Sequence, residues 1–115
     1  MLDKYIFTLS SEDEFNKIVL ESDIPVIVDF HAEWCGLCRK LGPELEKACD
    51  ENKIFKLVKI NVDDFMALSE KYEVSSIPHV ILFFKGKQEM SFRGYDKSSL
   101  DKMIDRCREM CKIII

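Results

Sequence analysis

The chain has 115 residues, 47% of them hydrophobic and 33% charged, which is the balance of one soluble globular domain spanning residues 1–115. Its net charge of −4 argues against a nucleic-acid-binding protein, because such surfaces carry a basic excess. No apolar run approaches the roughly 18 residues of a membrane helix, and the acidic N-terminus fits neither a signal peptide nor an Arg-rich transit peptide.

The first half of the chain predicts alternating strands and helices. Residues 5–9 are typical of a short strand, and residues 11–14 (Ser-Glu-Asp-Glu) resemble a capping box that begins a helix. Residues 25–31 form a near-continuous apolar run, as in a central strand that is covered on both faces. Leucines and alanine recur at helical spacing over residues 37–48, which predicts a second helix with Pro43 inside it.

The second half of the chain predicts three strands and two helices. In order, these are a strand over residues 56–62, a helix over 65–72 capped by Asp63-Asp64, a strand over 79–84, a turn at 85–87, a strand over 88–93, and a last helix capped by Ser98 or Ser99. The last helix has an apolar face made of Leu100, Met103, Ile104, Cys107, Met110, Cys111 and Ile114. This alternation predicts an α/β sheet with helices on both faces.

Residues 34–38 read Trp-Cys-Gly-Leu-Cys, so two cysteines are separated by two residues. Such a pair closes a small disulfide or supplies half of a metal site, and its place between a strand and a helix favours redox chemistry. Zinc needs four ligands, and the distant Cys107 and Cys111 lie on an apolar helix face, so zinc is the weaker alternative. Because the chain has five cysteines, an odd number, we expect no disulfide framework and a reducing compartment.

Several other polar or titratable side chains stand out against the apolar pattern. Asp29 interrupts an interior strand, where a carboxylate costs free energy unless it is paired or neutral. His79 could tune Cys35, although it is more simply the first residue of a strand, and His31 is interpreted in the same way. The remaining cysteines, Cys49, Cys107 and Cys111, are interpreted as small core residues, with a regulatory thiol as the alternative.

These motifs together resemble the thioredoxin family over essentially the whole chain. The resemblance rests on residues 28–40 (Val-Asp-Phe-His-Ala-Glu-Trp-Cys-Gly-Leu-Cys-Arg-Lys), the helix proline Pro43, residues 59–63, Ile77-Pro78 and Gly94. His31 and residues 41–47 are closer to mitochondrial-type thioredoxins than to cytosolic ones. The implied fold is the thioredoxin fold, an α/β architecture with a central mixed sheet flanked by helices on both faces.

The resemblance implies a protein dithiol–disulfide oxidoreductase. Cys35 would be the exposed nucleophile at a helix N-terminus, where backbone N–H groups and the helix dipole favour its thiolate. Cys38 would be the buried resolving thiol, and Asp29, paired with Lys59, would accept its proton. The residues implied to bind substrate are Trp34, Gly36, Leu37, Ile77, Pro78, which is expected to be cis, and Gly94.

Two positions depart from the family pattern: His79 stands where the family usually has threonine, and Leu37 stands where it usually has proline. Leucine adds a backbone N–H near the sulfurs, so we expect a redox potential less reducing than the value of about −270 mV that is typical of thioredoxin. This departure leaves a disulfide isomerase or oxidase open as an alternative. A non-catalytic subunit that uses the same groove to hold a partner is a second alternative.

The resemblance also implies the partners. These are disulfide-bearing protein substrates and an NADPH-dependent thioredoxin reductase as electron donor. We expect no cofactor, no metal, no nucleic acid and no membrane partner, and a monomer. The expected compartment is the cytoplasm, or the mitochondrial matrix if a presequence has been removed.

Overall fold

The computed structural model describes residues 5–114 and confirms the predicted α/β architecture with a mixed sheet. Its strands are β1 (Ile6–Thr8), β2 (Val26–His31), β3 (Lys56–Asn61), β4 (His79–Phe84) and β5 (Lys87–Arg93). Its helices are α1 (Glu12–Phe15), which continues as a π-helical segment (Asn16–Leu20), then α2 (Gly36–Asn52), α3 (Met66–Lys71) and α4 (Lys97–Ile114). Within residues 5–114, no helix has the length and apolar character needed to cross a membrane.

The strand β2 lies at the centre of the sheet, whose order is β1-β3-β2-β4-β5. It pairs in parallel with β3 on one side and antiparallel with β4 on the other. Being hydrogen-bonded along both edges and covered on both faces, β2 is buried at every position from Val26 to Phe30. This position explains why its sequence is a continuous apolar run rather than an alternating one.

The sheet separates two apolar cores. Ile27 of β2 packs with buried residues of α2 and α4, including Leu41 and Met103. Its neighbour Val28 packs on the opposite face, in the cluster that contains Phe15 of α1. Successive strand residues point to opposite faces, so the side chains of β2 that follow Ile27 by two and four residues also point toward α2.

The helix starts differ from two of the predicted caps. Ser11 is the N-cap residue of α1, but its side chain makes no capping hydrogen bond. Instead, Glu14 accepts hydrogen bonds from the backbone N–H and the hydroxyl of Ser10, both at 2.8 Å. At the start of α4, Asp96 accepts from the backbone N–H of Ser99 at 3.0 Å, so the cap is Asp96 and not Ser98 or Ser99. A carboxylate serves as well as a hydroxyl in this role, which is why sequence alone does not separate them.

The predicted cap of α3 is also wrong. Phe65 is the N-cap residue, and it makes no side-chain capping bond. The carboxylate of Asp63 accepts a hydrogen bond from the indole Nε1 of Trp34 at 2.9 Å instead. At the C-terminal end, Ile113 is exposed, whereas the final Ile115 of the isoleucine-rich terminus lies outside the described residues.

Candidate active site

The two cysteines of residues 34–38 meet at the N-terminal end of α2. Cys35 and Cys38 form a disulfide with their Cα atoms 5.2 Å apart. Cys35 is the N-cap residue in an extended conformation, and its Sγ accepts a hydrogen bond from the backbone N–H of Cys38 at 3.2 Å. The Cys35 sulfur therefore receives a backbone donor at the positive end of a helix of 17 residues, an arrangement that favours a thiolate over a thiol.

The predicted difference in exposure between the two sulfur-bearing residues is wrong for this oxidised form. Cys35 is 8% exposed and Cys38 is 5% exposed, so both are buried. They pack with Ala32, and with the partly buried Val62 and Ile77. The disulfide holds Cys35 inward against this apolar cluster, whereas sequence reasoning had placed it at an open helix end.

The surface around the disulfide is apolar and exposed. Trp34 is 67% exposed and Leu37 is 50% exposed. Trp34 also borders a groove of about 330 Å³ with Val62, Val74, Ser75, Ser76 and Ile77. The indole is held by its hydrogen bond to Asp63, a partner that sequence reasoning missed. Asp63 follows the end of β3 as Trp34 follows the end of the parallel neighbour β2, so this proximity was available from topology.

The loop before β4 closes the other side of the disulfide. The Ile77–Pro78 peptide bond is cis, and Ile77 packs against the cysteine cluster. The carbonyl of Pro78 accepts a hydrogen bond from the backbone N–H of Gly94 at 2.8 Å. Gly94 has a φ of +77°, a conformation that favours glycine. The structure thus places Gly94, which follows β5, next to the loop that contains Ile77 and Pro78, while Gly36 and Leu37 lie in the first turn of α2.

A second cavity, of about 420 Å³, lies beside Cys38 and is lined by both apolar and titratable residues. Its lining includes Cys38, Asp29, His31, Lys59 and Glu46. The register of the sheet explains this assembly, because Asp29 of β2 lies directly opposite Lys59 of β3. Both side chains point toward α2, whose residues Cys38 and Glu46 face back toward the sheet.

Asp29 is the most perturbed acid of this cavity. Its side chain is buried, and its Oδ1 has no hydrogen-bond partner within residues 5–114. Burial raises its pKa from 3.8 to about 7, with Lys59 opposing that shift and Glu46 adding to it. A carboxyl group whose pKa lies near neutrality can both accept and release a proton at physiological pH.

The predicted pairing of Lys59 with Asp29 is wrong. Within residues 5–114, Lys59 makes its ion pair with Glu46, at 2.8 Å from Nζ to Oε2. Glu46 is more exposed than Asp29 and therefore keeps its charge at lower free-energy cost, which makes it the better partner for an ammonium. Sequence reasoning missed Glu46, although Cys38, Gly42 and Glu46 follow one another at i+4 steps along one face of α2.

The two histidines of the chain lie on opposite faces of the sheet. The ring of His31 lines the cavity beside Cys38, and burial, followed by Lys59, lowers its pKa. His79 packs 6.4 Å from the ring of Phe30 on the other face, and burial, followed by Arg93, lowers its pKa. The location of His79 favours the simpler interpretation, in which it is a buried residue of a strand.

The other three cysteines lie far along α2 and α4. Cys49 and Cys107 are buried and Cys111 is half-buried, which confirms the first two as core residues. Burial raises the pKa of Cys107 to about 12. The thiols of Cys49 and Cys111 donate to the carbonyl oxygens of Phe55 and Ile54, at 3.4 and 3.3 Å.

The comparisons with known proteins agree with this geometry. The Thioredoxin family model matches residues 6–106. The chain is 41% identical to a probable thioredoxin-2 of Caenorhabditis elegans over 87% of this chain and 70% of that protein. It is 42% identical to a thioredoxin of Rickettsia felis over 84% of this chain and 93% of that protein. Mitochondrial thioredoxin 3 of Saccharomyces cerevisiae in its oxidised form has a similar structure, with a TM-score of 0.80 and 28% identity over 88% and 94% of the two chains.

The family match covers most of the chain, and the disulfide lies at the N-terminus of α2 in residues that carry the predicted motif. The chain belongs to the thioredoxin family and is a thioredoxin-type protein dithiol–disulfide oxidoreductase.

Proposed function

We propose that the chain reduces disulfides of target proteins, with Cys35 as the attacking thiol. The observation that carries this assignment is the backbone hydrogen bond from Cys38 N–H to Cys35 Sγ at the start of α2. That donor and the helix dipole stabilise the Cys35 thiolate, which is the form that attacks a disulfide. Attack forms a mixed disulfide between Cys35 and one substrate sulfur, and the other substrate sulfur leaves as a thiolate.

Cys38 resolves this intermediate in our proposal. Cys38 and Asp29 line the same cavity, and Asp29 accepts the proton that Cys38 loses as it attacks Cys35. The Cys35–Cys38 disulfide forms, and the second substrate sulfur leaves as a thiolate that takes up a proton. In sum, the enzyme dithiol is oxidised, the substrate disulfide is reduced, and two electrons and two protons are transferred.

Substrate docking in this proposal uses the apolar surface around the disulfide. The substrate chain lies along the loop that contains Ile77 and Pro78, and Gly94 leaves room beside it. Trp34 and the first turn of α2, with Gly36 and Leu37, form the opposite side. These apolar contacts hold a substrate disulfide close to Cys35 while the reduced thiolate attacks it.

The electron donor that we propose is an NADPH-dependent thioredoxin reductase, which is the usual recycling partner of the family. We propose that the protein works as a monomer in a reducing compartment, the cytoplasm or alternatively the mitochondrial matrix. Cys49, Cys107 and Cys111 form no disulfide within residues 5–114, which supports a reducing compartment.

Reductase-coupled turnover tests this proposal. NADPH oxidation is followed with thioredoxin reductase and a small protein substrate that has accessible disulfides. We expect Cys35→Ser to abolish turnover and Cys111→Ser, which removes a half-buried thiol outside the site, to keep it. Full turnover by Cys35→Ser would overturn the assignment of the nucleophile.

A further inference from the structure

The proton that Asp29 accepts from Cys38 needs a route out of the cavity beside Cys38. Asp29 is 2% exposed, so a proton that it accepts from Cys38 must leave through the cavity before the next cycle. His31 follows Asp29 by two residues on β2 and therefore points to the same face of the sheet. Its ring lines the same cavity, and this residue is partly exposed at the end of the strand.

One ring nitrogen of His31 has no hydrogen-bond partner among the described residues. Its Nε2 is buried and has no hydrogen-bond partner within residues 5–114. Neutral imidazole has one ring nitrogen that can accept a proton. A buried nitrogen without a partner is uncommon, and here it belongs to a residue that lines the same cavity as Asp29, the buried acid that has to lose a proton.

Burial, more than the charged groups around it, keeps His31 neutral. Burial and the ammonium of Lys59 on β3 lower its pKa, while Glu33 in the loop after β2 and Asp64 after β3 oppose this shift. Across the cavity, α2 contributes Arg39 and the carboxylate of Glu46. The balance favours the uncharged imidazole at neutral pH, the state that accepts a proton.

The other polar groups of the cavity are less suited to this role. Lys59 is a cation engaged with Glu46 at 2.8 Å. Arg39 is a cation that donates to the carbonyl of Glu33 at 2.6 Å. Neither cation has a lone pair to accept a proton, and Glu46 is occupied by Lys59.

We propose that His31 is a proton-relay residue that acts through Asp29 during the resolving step. This inference rests on the proposed function of Cys35 and Cys38. The Cys38 thiol gives its proton to the Asp29 carboxylate, the protonated Asp29 gives it to Nε2 of His31, and the imidazolium releases it to solvent. Asp29 is then ionised again, and no electrons move in the relay. The cavity has room for water between these groups, because a water molecule occupies about 30 Å³.

The test is single-turnover release of a reporter thiol from a mixed disulfide with Cys35 at pH 7. We expect His31→Ala to slow release about 100-fold, a loss at the low end of what proton transfer by a side chain contributes. Free imidazole should restore the rate, because the truncated side chain leaves space beside Asp29 for it. His31→Gln, which keeps a polar side chain but cannot titrate at neutral pH, should be as slow as His31→Ala.

His79→Ala is the matched control, because it removes the other buried histidine from the opposite face of the sheet. Whatever its own rate, release by this variant should not respond to imidazole. The solvent deuterium isotope effect on release should rise in His31→Ala and stay at the wild-type value in His79→Ala. Both readouts follow proton transfer and would not respond to a purely structural defect.

Two results would overturn the relay. One is release by folded His31→Ala or His31→Gln at the wild-type rate, and the other is slow release by His31→Ala that imidazole does not restore. If His31→Ala does not fold, the His31→Gln variant decides alone. In either case, the reductase proposal would still stand if the wild type turns over and Cys35→Ser does not. The His31 variants and Cys35→Ser therefore test the two proposals independently.

Discussion

Cysteines lie near both ends of α2, and their sulfur atoms have different hydrogen-bonding partners. One sulfur accepts a hydrogen bond, and the other donates one. At the N-terminal end, Cys35 receives a backbone N–H and forms a disulfide with Cys38. At the C-terminal end, Cys49 is buried and its thiol donates to the carbonyl of Phe55. Helix N-termini present donors and a partial positive charge, whereas C-termini present acceptors and a partial negative charge. Burial alone does not distinguish these residues, since Cys35, Cys38 and Cys49 are all buried; the groups around each sulfur differ.

The same contrast extends to α4. Cys107 lies in the core that α2 and α4 share, and its pKa is raised to about 12 by burial, with Cys111 and Cys49 adding to the shift. At the active site, by comparison, burial of Asp29 creates an acid that titrates near neutrality beside Cys38. Burial thus makes one thiol inert and makes one carboxyl group useful, because it disfavours the charged form of each group.

Thiol alkylation should show the largest difference between the two ends. In the reduced protein at pH 7, we expect Cys35 to react with iodoacetamide at least about 10⁴-fold faster than Cys107, because its position at a helix N-terminus favours the thiolate. Cys107, with a pKa of about 12, is almost entirely protonated. Mass spectrometry of peptides after timed quenching measures both rates.

The control for alkylation is the same reaction in denaturant, where the cysteines should react at similar rates. Comparable alkylation of Cys107 and Cys35 in the native protein would contradict the comparison.

Asp29→Asn should show how much the buried, ionised carboxylate of Asp29 lowers the free energy of unfolding. Each factor of ten in an ionisation constant corresponds to about 1.4 kcal/mol, so raising the pKa from 3.8 to about 7 destabilises the folded protein by roughly 4 kcal/mol once Asp29 is ionised. Because the folded state holds this proton more tightly than the unfolded state, wild-type stability should fall as pH rises from about 4 to 7 and then level off. The variant should be more stable at pH 8 by that order, without this pH dependence.

Urea unfolding of wild type and Asp29→Asn at pH 4, 6 and 8 measures this effect. Release of substrate from Cys35 should also slow in the variant, because the amide accepts no proton from Cys38. Equal stability of the two proteins at pH 8 would show that the ionised Asp29 does not destabilise the folded protein.

Cys107→Ser should lower the stability of the protein and leave its reductase-coupled turnover unchanged. The serine hydroxyl would enter a fully buried apolar site, which costs about 2 kcal/mol when no acceptor is available. Thermal unfolding measures the loss, and Cys107→Ala is the control without a polar atom. Reductase-coupled turnover should stay at the wild-type level in both, and its loss would assign Cys107 a role that the comparison denies.

Leu37→Pro should give the smallest effect. Leu37 is in the first turn of α2 and half-exposed, so proline fits there, and its change removes one backbone N–H from the thiolate end of the helix. A donor of about 1 kcal/mol corresponds to roughly 20 mV. We therefore expect the potential of Leu37→Pro to be more negative by that amount in a glutathione equilibrium titration. A more positive potential would refute the effect assigned to Leu37.

The sequence was sufficient for the fold, because the apolar run of β2 and the helical spacing of α2 are each dictated by local periodicity. It was less sufficient for polar partners. The choice of Glu46 over Asp29 by Lys59 depends on the relative depth of two carboxylates, which no local pattern encodes. The competition between Asp63 as a helix cap and as the partner of Trp34 is likewise decided by tertiary proximity.

The exposure of Cys35 shows a further limit of sequence reasoning. A helix N-terminus predicts an accessible sulfur, yet the packing of Ala32, Val62 and Ile77 covers it in the disulfide form. Ala32 follows the end of β2, Val62 follows the end of β3, and Ile77 lies in the loop before β4. Their proximity is therefore a property of the sheet topology.

The most direct test of the division between the ends of α2 is mixed-disulfide trapping with Cys38→Ser. Without Cys38, attack by Cys35 on a substrate disulfide should stop at a stable adduct. Peptide mapping by mass spectrometry should then find the substrate linked to Cys35 and none linked to Cys49, Cys107 or Cys111. A substrate linked mainly to one of those three cysteines, or no adduct with a substrate that the wild type reduces, would contradict the account.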